Sequence, residues 1–198
     1  GLFHVQDLSS QKCAAALGVQ AGHRVLDVCS APGGKSFTLA EMMDDTGSLL
    51  AMDLYPNRLR LVKDGAARLG LHCIKTQARD AQIYDNSLGV FDRILCDVVC
   101  SGYGVIRRKP EIRYKDPAEA AALPETQLAI LTASSRSLSC GGRLVYSTCT
   151  LNPAENEGVV ERFLRENTDY ALCGEPVTCL PEQNGGDGFF YAVVERRL

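Results

Sequence analysis

The chain has 198 residues, of which 45% are hydrophobic and 23% are charged, and its formal net charge is −3. This balance is typical of one soluble globular domain with a substantial core. No apolar run approaches the ~18–20 residues of a membrane span, and residues 1–4 do not predict a signal peptide.

Hydrophobic spacing and turn residues predict elements in an alternating order. Residues 4–17 are predicted to form an entry helix or a capping segment. The other predicted helices cover 36–43, 56–69, 124–138 and 153–166, and the predicted strands cover 24–28, 48–53, 73–76, 91–97, 143–148 and 188–194. Strands that alternate with helices predict an α/β fold with a doubly wound, mainly parallel sheet. Gly141 and Gly142 are expected to break the fourth helix. The stretch 98–123 has no clear periodicity, and a loop of that length is usually functional or mobile.

Residues 24–35 read as a strand, a glycine-rich loop and the start of a helix. Pro32 lacks a backbone donor, while Gly33 and Gly34 permit positive φ and the close approach of a ligand. The loop is not a phosphate-binding P-loop, which needs glycine where Cys29 stands, nor the three-glycine dinucleotide fingerprint. Its position after a parallel strand still predicts a nucleotide-like ligand, and a purely structural turn is the alternative.

Acids and thiols follow the other predicted strands at their carboxyl ends. Asp53 follows strand two, Asp80 follows strand three, residues 97–100 follow strand four, and Cys149 follows strand five. Because the carboxyl ends of parallel strands share one edge, these side chains are expected to cluster there with residues 29–35. An acid after strand two suits the hydroxyls of a ribose, although a single such acid is more often a turn or cap residue.

The nine cysteines are odd in number and include no C-x-x-C pair, which disfavours a zinc site or a disulfide framework. Reduced thiols in a cytoplasmic protein are expected. Cys100 and Cys149 each follow a strand in polar company, where a thiolate suits a cleft, although a buried structural cysteine is the alternative for either. A thiolate that attacks C6 of a pyrimidine makes C5 nucleophilic, so that C5 can accept a methyl group. Asp97 is placed to hydrogen-bond N3 of such a ring.

Taken together, these motifs resemble those of the RNA cytosine-C5 methyltransferases that use S-adenosylmethionine. Within that family the chain is similar to the bacterial 16S ribosomal RNA branch, the Sun/Fmu group. The matching segments are 3–7, 29–35, 97–102, 105–112, 147–150 and 187–190, together with Asp53 and Asp80. The resemblance implies a class I SAM-dependent methyltransferase fold, Rossmann-like and mostly parallel, with an antiparallel C-terminal strand. It also implies one catalytic domain, 1–198, without the all-helical RNA-binding domain that usually precedes it.

The resemblance implies roles for individual residues. Cys149 would be the nucleophile, Cys100 would assist release of the covalent intermediate, and Asp97 would lie near the cofactor and the target base. The residues implied to bind S-adenosylmethionine are Cys29, Ser30, Ala31, Pro32, Gly33, Gly34, Lys35, Asp53, Arg58, Asp80 and Asp97. The implied partner is RNA, 16S ribosomal RNA in the first place, and neither a membrane nor a metal is expected.

The stretch 103–115 interleaves cations with aromatic rings, a pattern that suits an unpaired RNA segment. The residues expected to bind RNA are Arg107, Arg108, Lys109 and Arg113. A solvated charged loop is the alternative. The net charge of −3 argues against a free-standing nucleic-acid binder, but a local basic patch is enough to grip phosphates.

The chain departs from the family pattern at Val99, where proline is usual before the second cysteine, and at Tyr103, where leucine is common. Proline fixes φ at about −65° and removes a donor. With Val99 at this position, the backbone conformation that orients the Cys100 side chain is not fixed in this way. Three functions stay open: an RNA methyltransferase, a family member that binds cofactor and RNA but methylates weakly, and a cytosine-C5 enzyme for transfer RNA or DNA. In the DNA enzymes the nucleophile corresponds to Cys100, so mutation of each cysteine separates the cases.

Overall fold

The computed structural model describes residues 1–197, within which one sheet has eight strands and seven α-helices surround it. The strands are β1 (Arg24–Asp27), β2 (Ser48–Asp53), β3 (Ile74–Ala78), β4 (Phe91–Asp97), β5 (Leu138–Thr148), β6 (Tyr170–Leu172), β7 (Val177–Cys179) and β8 (Phe189–Arg196). The helices are α1 (Leu8–Ala16), α2 (Gly34–Met42), α3 (Pro56–Leu69), α4 (Pro117–Ala120), α5 (Leu123–Ser135), α6 (Glu157–Glu166) and α7 (Pro181–Asn184). Short 3₁₀ turns cover Asn86–Leu88, Tyr103–Val105 and Pro110–Tyr114.

The strands lie in the order β3-β2-β1-β4-β5-β8-β6, and β7 also pairs with β8. Strands β1 to β5 are parallel, whereas β8 runs antiparallel to β5 and places Val193 opposite Val145. The predicted α/β fold, with its mostly parallel sheet and antiparallel C-terminal strand, is confirmed. Because the strand order reverses between β1 and β4, the crevice for a ligand opens beyond the carboxyl ends of these two strands.

Two apolar layers cover the sheet, one on each face. Helices α1, α2 and α3 pack on one face against residues such as Val25 and Leu49. Helices α5 and α6 pack on the other face against residues such as Leu26 and Ile94. Successive residues of a strand point to opposite faces, so the continuous apolar run of β1 fills both layers.

Local signals set the bounds of α3, as predicted, and the start of α1, which differs from the prediction. Helix α3 begins at Pro56, whose missing N–H is not needed in a first turn, and ends before Gly70, which adopts a φ of 72°. Helix α1 begins at Leu8, later than the predicted start at residue 4, because the Asp7 carboxylate accepts a hydrogen bond of 2.9 Å from the Ser9 N–H.

The prediction for residues 124–142 is wrong at its end. Helix α5 stops at Ser135, and Gly141 and Gly142 lie inside β5 instead of breaking a helix. The Phe91 N–H of β4 donates to the Ser137 carbonyl at 2.8 Å, and Leu138 pairs with Phe91. Strand pairing therefore overrides the local helical pattern, and the glycines accommodate the shift in register that follows.

The helix predicted from Pro153 begins only at Glu157. Residues 153–156 form a turn because Asn156 is held by tertiary contacts: its Oδ1 accepts from Thr148 Oγ1 at 2.6 Å, and its Nδ2 donates to the Thr150 carbonyl at 3.1 Å. The prediction also omits β6 and β7, which have three residues each. The stretch 98–123 contains short helical turns and is not a structureless loop.

No helix within residues 1–197 is long and apolar enough to cross a membrane. The predicted single domain, 1–198, stays a prediction, and its last residue lies outside the described residues.

Asp45 provides a test of the turn between α2 and β2. Its carboxylate accepts the backbone N–H groups of His72 and Cys73 at 2.8–2.9 Å. Burial opposes the charge, but these hydrogen bonds outweigh it and lower the pKa of Asp45 below its ordinary value. Asp45→Asn is expected to reduce the free energy of unfolding at pH 7 by about 1–2 kcal/mol, measured by urea denaturation.

The stabilisation by Asp45 is fully present above the ordinary carboxyl pKa and is lost as the pH falls through the lowered one. The difference between the parent and Asp45→Asn should therefore shrink on acidification. Asp44→Asn is the matched control, since Asp44 is exposed and has a φ of 53° against 51° for Asp45. Equal stability of the parent and Asp45→Asn at pH 7 would contradict the assignment.

Candidate active site

The loop after β1 is held in a form that only glycine allows at one position. Gly33 has a φ of 113°, and a Cβ added there would lie 2.5 Å from the Phe37 ring. The Ser30 N–H donates to the Met52 carbonyl at 2.7 Å, which ties the loop to β2. The predicted loop ends earlier than expected, because Gly34 and Lys35 already belong to the first turn of α2. Lys35 therefore projects from a helix start.

Asp53, at the end of β2, is buried and makes contacts with two segments. Its Oδ2 accepts from the Ala31 N–H at 3.3 Å, and its Oδ1 accepts from the Tyr55 N–H at 3.0 Å. Arg58 lies 3.1 Å from the carboxylate and donates to the Ala31 carbonyl at 2.8 Å. The carboxylate of Asp53 and the guanidinium of Arg58 thus link the loop after β1 to the end of β2.

Two cavities open at the carboxyl edge of the sheet and share part of their walls. The first, of about 460 Å³, is lined by Asp53, Arg58, Asp80 and Cys100 among others. The second, of about 300 Å³, is lined by the residues of 29–35 apart from Gly33, and by Phe189. The residues that line both are Cys29, Ala31, Asp97, Lys109 and Cys149. The predicted clustering at one edge is therefore found, with two chambers that meet at Asp97 and Cys149.

A partly buried ion pair lies at this junction. Lys35 Nζ lies 2.6 Å from Asp97 Oδ2 and 4.9 Å from the centre of the Phe189 ring. Asp97 Oδ1 accepts from Ser147 Oγ at 2.8 Å. Burial opposes the charge of Lys35, but the Asp97 carboxylate outweighs it and raises the pKa of Lys35 to about 12. Lys35 therefore stays cationic beside the two chambers.

The two predicted cysteines face each other, with their sulfur atoms 3.3 Å apart. The hydrogen bond from Cys100 stabilises a thiolate at Cys149 and lowers the pKa of Cys149 against the opposing effect of burial. The same contact, together with burial, raises the pKa of Cys100 well above its usual value. Lys35 adds to the stabilisation at Cys149. The arrangement suits a nucleophile at Cys149 with a protonated thiol beside it.

The predicted RNA-binding cations divide into two groups. Arg107 and Arg108 both pair with the buried carboxylate of Asp187, at 3.3 Å for Arg107, while their own side chains stay more than half exposed. Lys109 lines both cavities, whereas Arg113 is exposed and lines neither. The first three cations thus lie at the rim of the site, and Arg113 lies apart from it.

Sequence reasoning assigned no role to two acids of this edge. Asp27 lies at the end of β1 and lines the second cavity, and burial raises its pKa to about 7. Its Oδ2 accepts from Ser36 Oγ at 2.6 Å, and its Oδ1 has no partner among the described residues. The rule that selected Asp53 and Asp97 also applies to Asp27, as an acid that ends a strand. Asp187, by contrast, gave no sequence signal of its contact with the two arginines.

Within residues 1–197, no group of three or more His, Cys, Asp or Glu side chains is arranged to hold a metal ion.

The profile of the family described as 16S rRNA methyltransferase RsmB/F matches residues 14–195. The chain is 39% identical over 222 residues to the probable ribosomal RNA small subunit methyltransferase B of Bacillus subtilis, covering 100% of this chain and 48% of that protein. The chain therefore spans about half the length of the curated relatives it matches.

Two solved structures from Pyrococcus horikoshii have the same fold. NSun6, solved with SFG, superposes with a TM-score of 0.89 at 30% identity, covering 98% of this chain and 53% of that one. A methyltransferase homolog protein superposes with a TM-score of 0.86 at 29% identity, covering 98% of this chain and 68% of that one.

The contact between the two sulfur atoms predicts a specific alkylation profile. Iodoacetamide should modify Cys149 at a lower pH than an ordinary thiol, because its thiolate is stabilised. Cys100→Ala removes the donor and should lower the rate at pH 7 about three- to tenfold, with the pH midpoint moved upward. The rate is followed by mass spectrometry of the peptide that contains Cys149.

Cys100→Ser is the matched control for this measurement, because its hydroxyl keeps a donor near Cys149. It should retain more of the reactivity at pH 7 than Cys100→Ala does. An unchanged midpoint in Cys100→Ala would show that Cys100 does not stabilise the thiolate.

Proposed function

The chain belongs to the 16S rRNA methyltransferase RsmB/F family, and we propose that it transfers a methyl group from S-adenosylmethionine to C5 of a cytosine in 16S ribosomal RNA. The observation that carries this proposal is the junction of two cavities at Cys149 and Asp97. One chamber suits the cofactor and the other suits a base turned out of its stack. Ribosomal RNA as substrate agrees with the expected cytoplasmic location.

The first cavity fits S-adenosylmethionine by the chemistry of its walls. Asp53 presents a buried carboxylate that suits the hydroxyls of a ribose, and Asp80 follows the neighbouring strand. Cys29 and Ala31 of the loop also line this cavity, while the rest of the loop leads into the neighbouring chamber and the N-terminus of α2, which carries partial positive charge. NSun6, which has the same fold, was solved with SFG, an analogue of S-adenosylmethionine. When bound, S-adenosylmethionine supplies the methyl group.

The residues at the junction suit a covalent route. The Cys149 thiolate attacks C6 of the cytosine and forms a sulfur–carbon bond, which moves an electron pair toward C5 and N3. Asp97 and Lys35 lie beside Cys149 to hold the ring and to stabilise charge on it. When C5 takes the methyl group, S-adenosylhomocysteine would be left, and a base would then remove the proton from C5 so that the electron pair of that bond re-forms the C5–C6 double bond. Finally the C6–sulfur bond breaks, which regenerates Cys149 and the aromatic ring.

The cations at the rim suit the phosphates that flank the target base. Arg107 and Arg108 are aimed by Asp187 yet keep exposed N–H groups, and Lys109 reaches both chambers. Held cations lose less side-chain entropy when they bind phosphate. This local patch accounts for an RNA partner in a chain whose net charge is −3.

Asp53 tests the cofactor assignment. Asp53→Asn removes the negative charge and should raise the Kd for S-adenosylmethionine about 10- to 100-fold, measured by isothermal titration calorimetry. Asp64→Asn, on the exposed side of α3, is the matched control and should leave the Kd unchanged. An unaltered Kd in a folded Asp53→Asn protein would remove Asp53 from the cofactor site.

Methyl transfer tests the proposed reaction. The parent chain should transfer labelled methyl from S-adenosylmethionine to 16S ribosomal RNA or to small ribosomal subunits, and digestion should yield 5-methylcytidine. Cys149→Ala should reduce turnover by at least ~10³-fold because it lacks the nucleophile. Cys100→Ala should instead trap a covalent protein–RNA adduct, seen as a shifted band under denaturing conditions.

The outcomes separate the competing functions. If Cys149→Ala traps an adduct and Cys100→Ala forms none, then Cys100 is the nucleophile, as in the DNA enzymes. Label found only in transfer RNA would identify transfer RNA, and not 16S ribosomal RNA, as the substrate. Cofactor binding without transfer to any of these RNAs would contradict the proposed enzyme and favour a binding protein.

A further inference from the structure

The backbone on both sides of Cys100 is held by a closed set of hydrogen bonds. Gln127 Nε2 donates to the Val99 carbonyl at 2.9 Å and to Glu155 Oε2 at 2.9 Å. The same carboxylate oxygen accepts from the Ser101 N–H at 2.9 Å. One amide and one carboxylate therefore bridge the residue before Cys100 and the residue after it.

Glu155 is fully buried, and its carboxylate oxygens act as hydrogen-bond acceptors. Its second oxygen, Oε1, accepts from Asn152 Nδ2 at 2.9 Å, so both carboxylate oxygens meet donors. The Tyr146 hydroxyl donates to the Glu155 backbone carbonyl at 2.5 Å, which holds the backbone from which the Glu155 side chain extends. A buried carboxylate with several donors is stiff, because any rotation leaves a donor or an acceptor unpaired.

This network also joins the segments that carry the two thiols. Ser101 Oγ lies 2.7 Å from Thr150 Oγ1, so the residue after Cys100 contacts the residue after Cys149. Val99 is 54% exposed and has little packing of its own, and unlike proline it leaves φ free. The separation of 3.3 Å between the two sulfur atoms therefore depends on these polar contacts rather than on apolar packing at Val99.

We propose that Glu155, acting with Gln127, is a positioning residue that holds the Cys100 thiol against Cys149 and so governs release of the covalent enzyme–RNA intermediate. This inference rests on the proposed function. Glu155 acts through the backbone of Cys100 and lines neither of the two cavities. Its loss should therefore slow the second half of the reaction more than the attack by Cys149.

Glu155→Gln is the first test. It keeps the size of the side chain but places an NH₂ donor against the donors of Ser101 or Asn152. Turnover should fall about tenfold, the fraction of protein trapped as the RNA adduct should rise about tenfold, and the Kd for S-adenosylmethionine should stay unchanged. Gln127→Met, which removes both donated hydrogen bonds at similar length, should give the same pattern if Glu155→Gln fails to fold.

Glu161→Gln is the matched control, since Glu161 lies on the exposed side of α6. It should change neither turnover nor the adduct fraction. A purely structural role would lower the melting temperature and reduce adduct and turnover in parallel. That parallel loss in the folded Glu155→Gln protein would overturn the proposal.

A second readout needs neither RNA nor cofactor, so it stands even if the proposed function fails. Diamide takes two electrons and two protons from a pair of thiols and leaves a disulfide. In the parent, mass spectrometry should detect rapid formation of a disulfide between Cys100 and Cys149, because their sulfur atoms are already in contact. In Glu155→Gln and Gln127→Met the rate should fall about tenfold, and joining at the parental rate would refute positioning by this pair.

Discussion

The partly buried ion pair between Lys35 and Asp97 is the contact on which the site depends. It joins the first turn of α2 to the end of β4, across the point where the strand order reverses. Burial of two charges is unfavourable unless each is paired and hydrogen-bonded. Here Ser147 donates to Asp97, and the Phe189 ring faces Lys35. The pair therefore fixes a cation and an anion at the wall shared by both cavities.

The two thiols differ in their tendency to ionise because of the groups that surround them. Cys100 donates to Cys149 and Lys35 lies near enough to favour a thiolate there, so two identical side chains acquire opposite tendencies to ionise. Neither tendency is a property of cysteine itself. Each follows from the contact between the two sulfur atoms and from burial, and the pairing of β5 with β4 brings the two thiols to the same edge of the sheet.

The sequence predicts an element well where its signals are local and complete. The bounds of β2, β4 and α3 agree with prediction because apolar runs, a proline and a glycine mark them. The predicted end of α5 is wrong because residues 137–138 pair with Phe91, which lies more than 40 positions earlier in the chain. The strands β6 and β7 are too short to show a periodicity, and they exist because β8 offers them an edge.

By itself the sequence determined the class of fold, the edge at which the site lies, and the candidate acids and thiols that end the strands. These follow from patterns within ten or so residues, which hydrophobic burial and backbone geometry translate directly into strands, helices and turns. Only the tertiary structure decided the partners: the contact of Cys100 with Cys149, the pairing of both arginines with Asp187, and the hydrogen bond that the Ser101 N–H donates to Glu155. The partners in each of these contacts lie about 50 to 80 residues apart in the chain. No local pattern encodes such a contact, because it exists only once the sheet has brought distant loops to one edge.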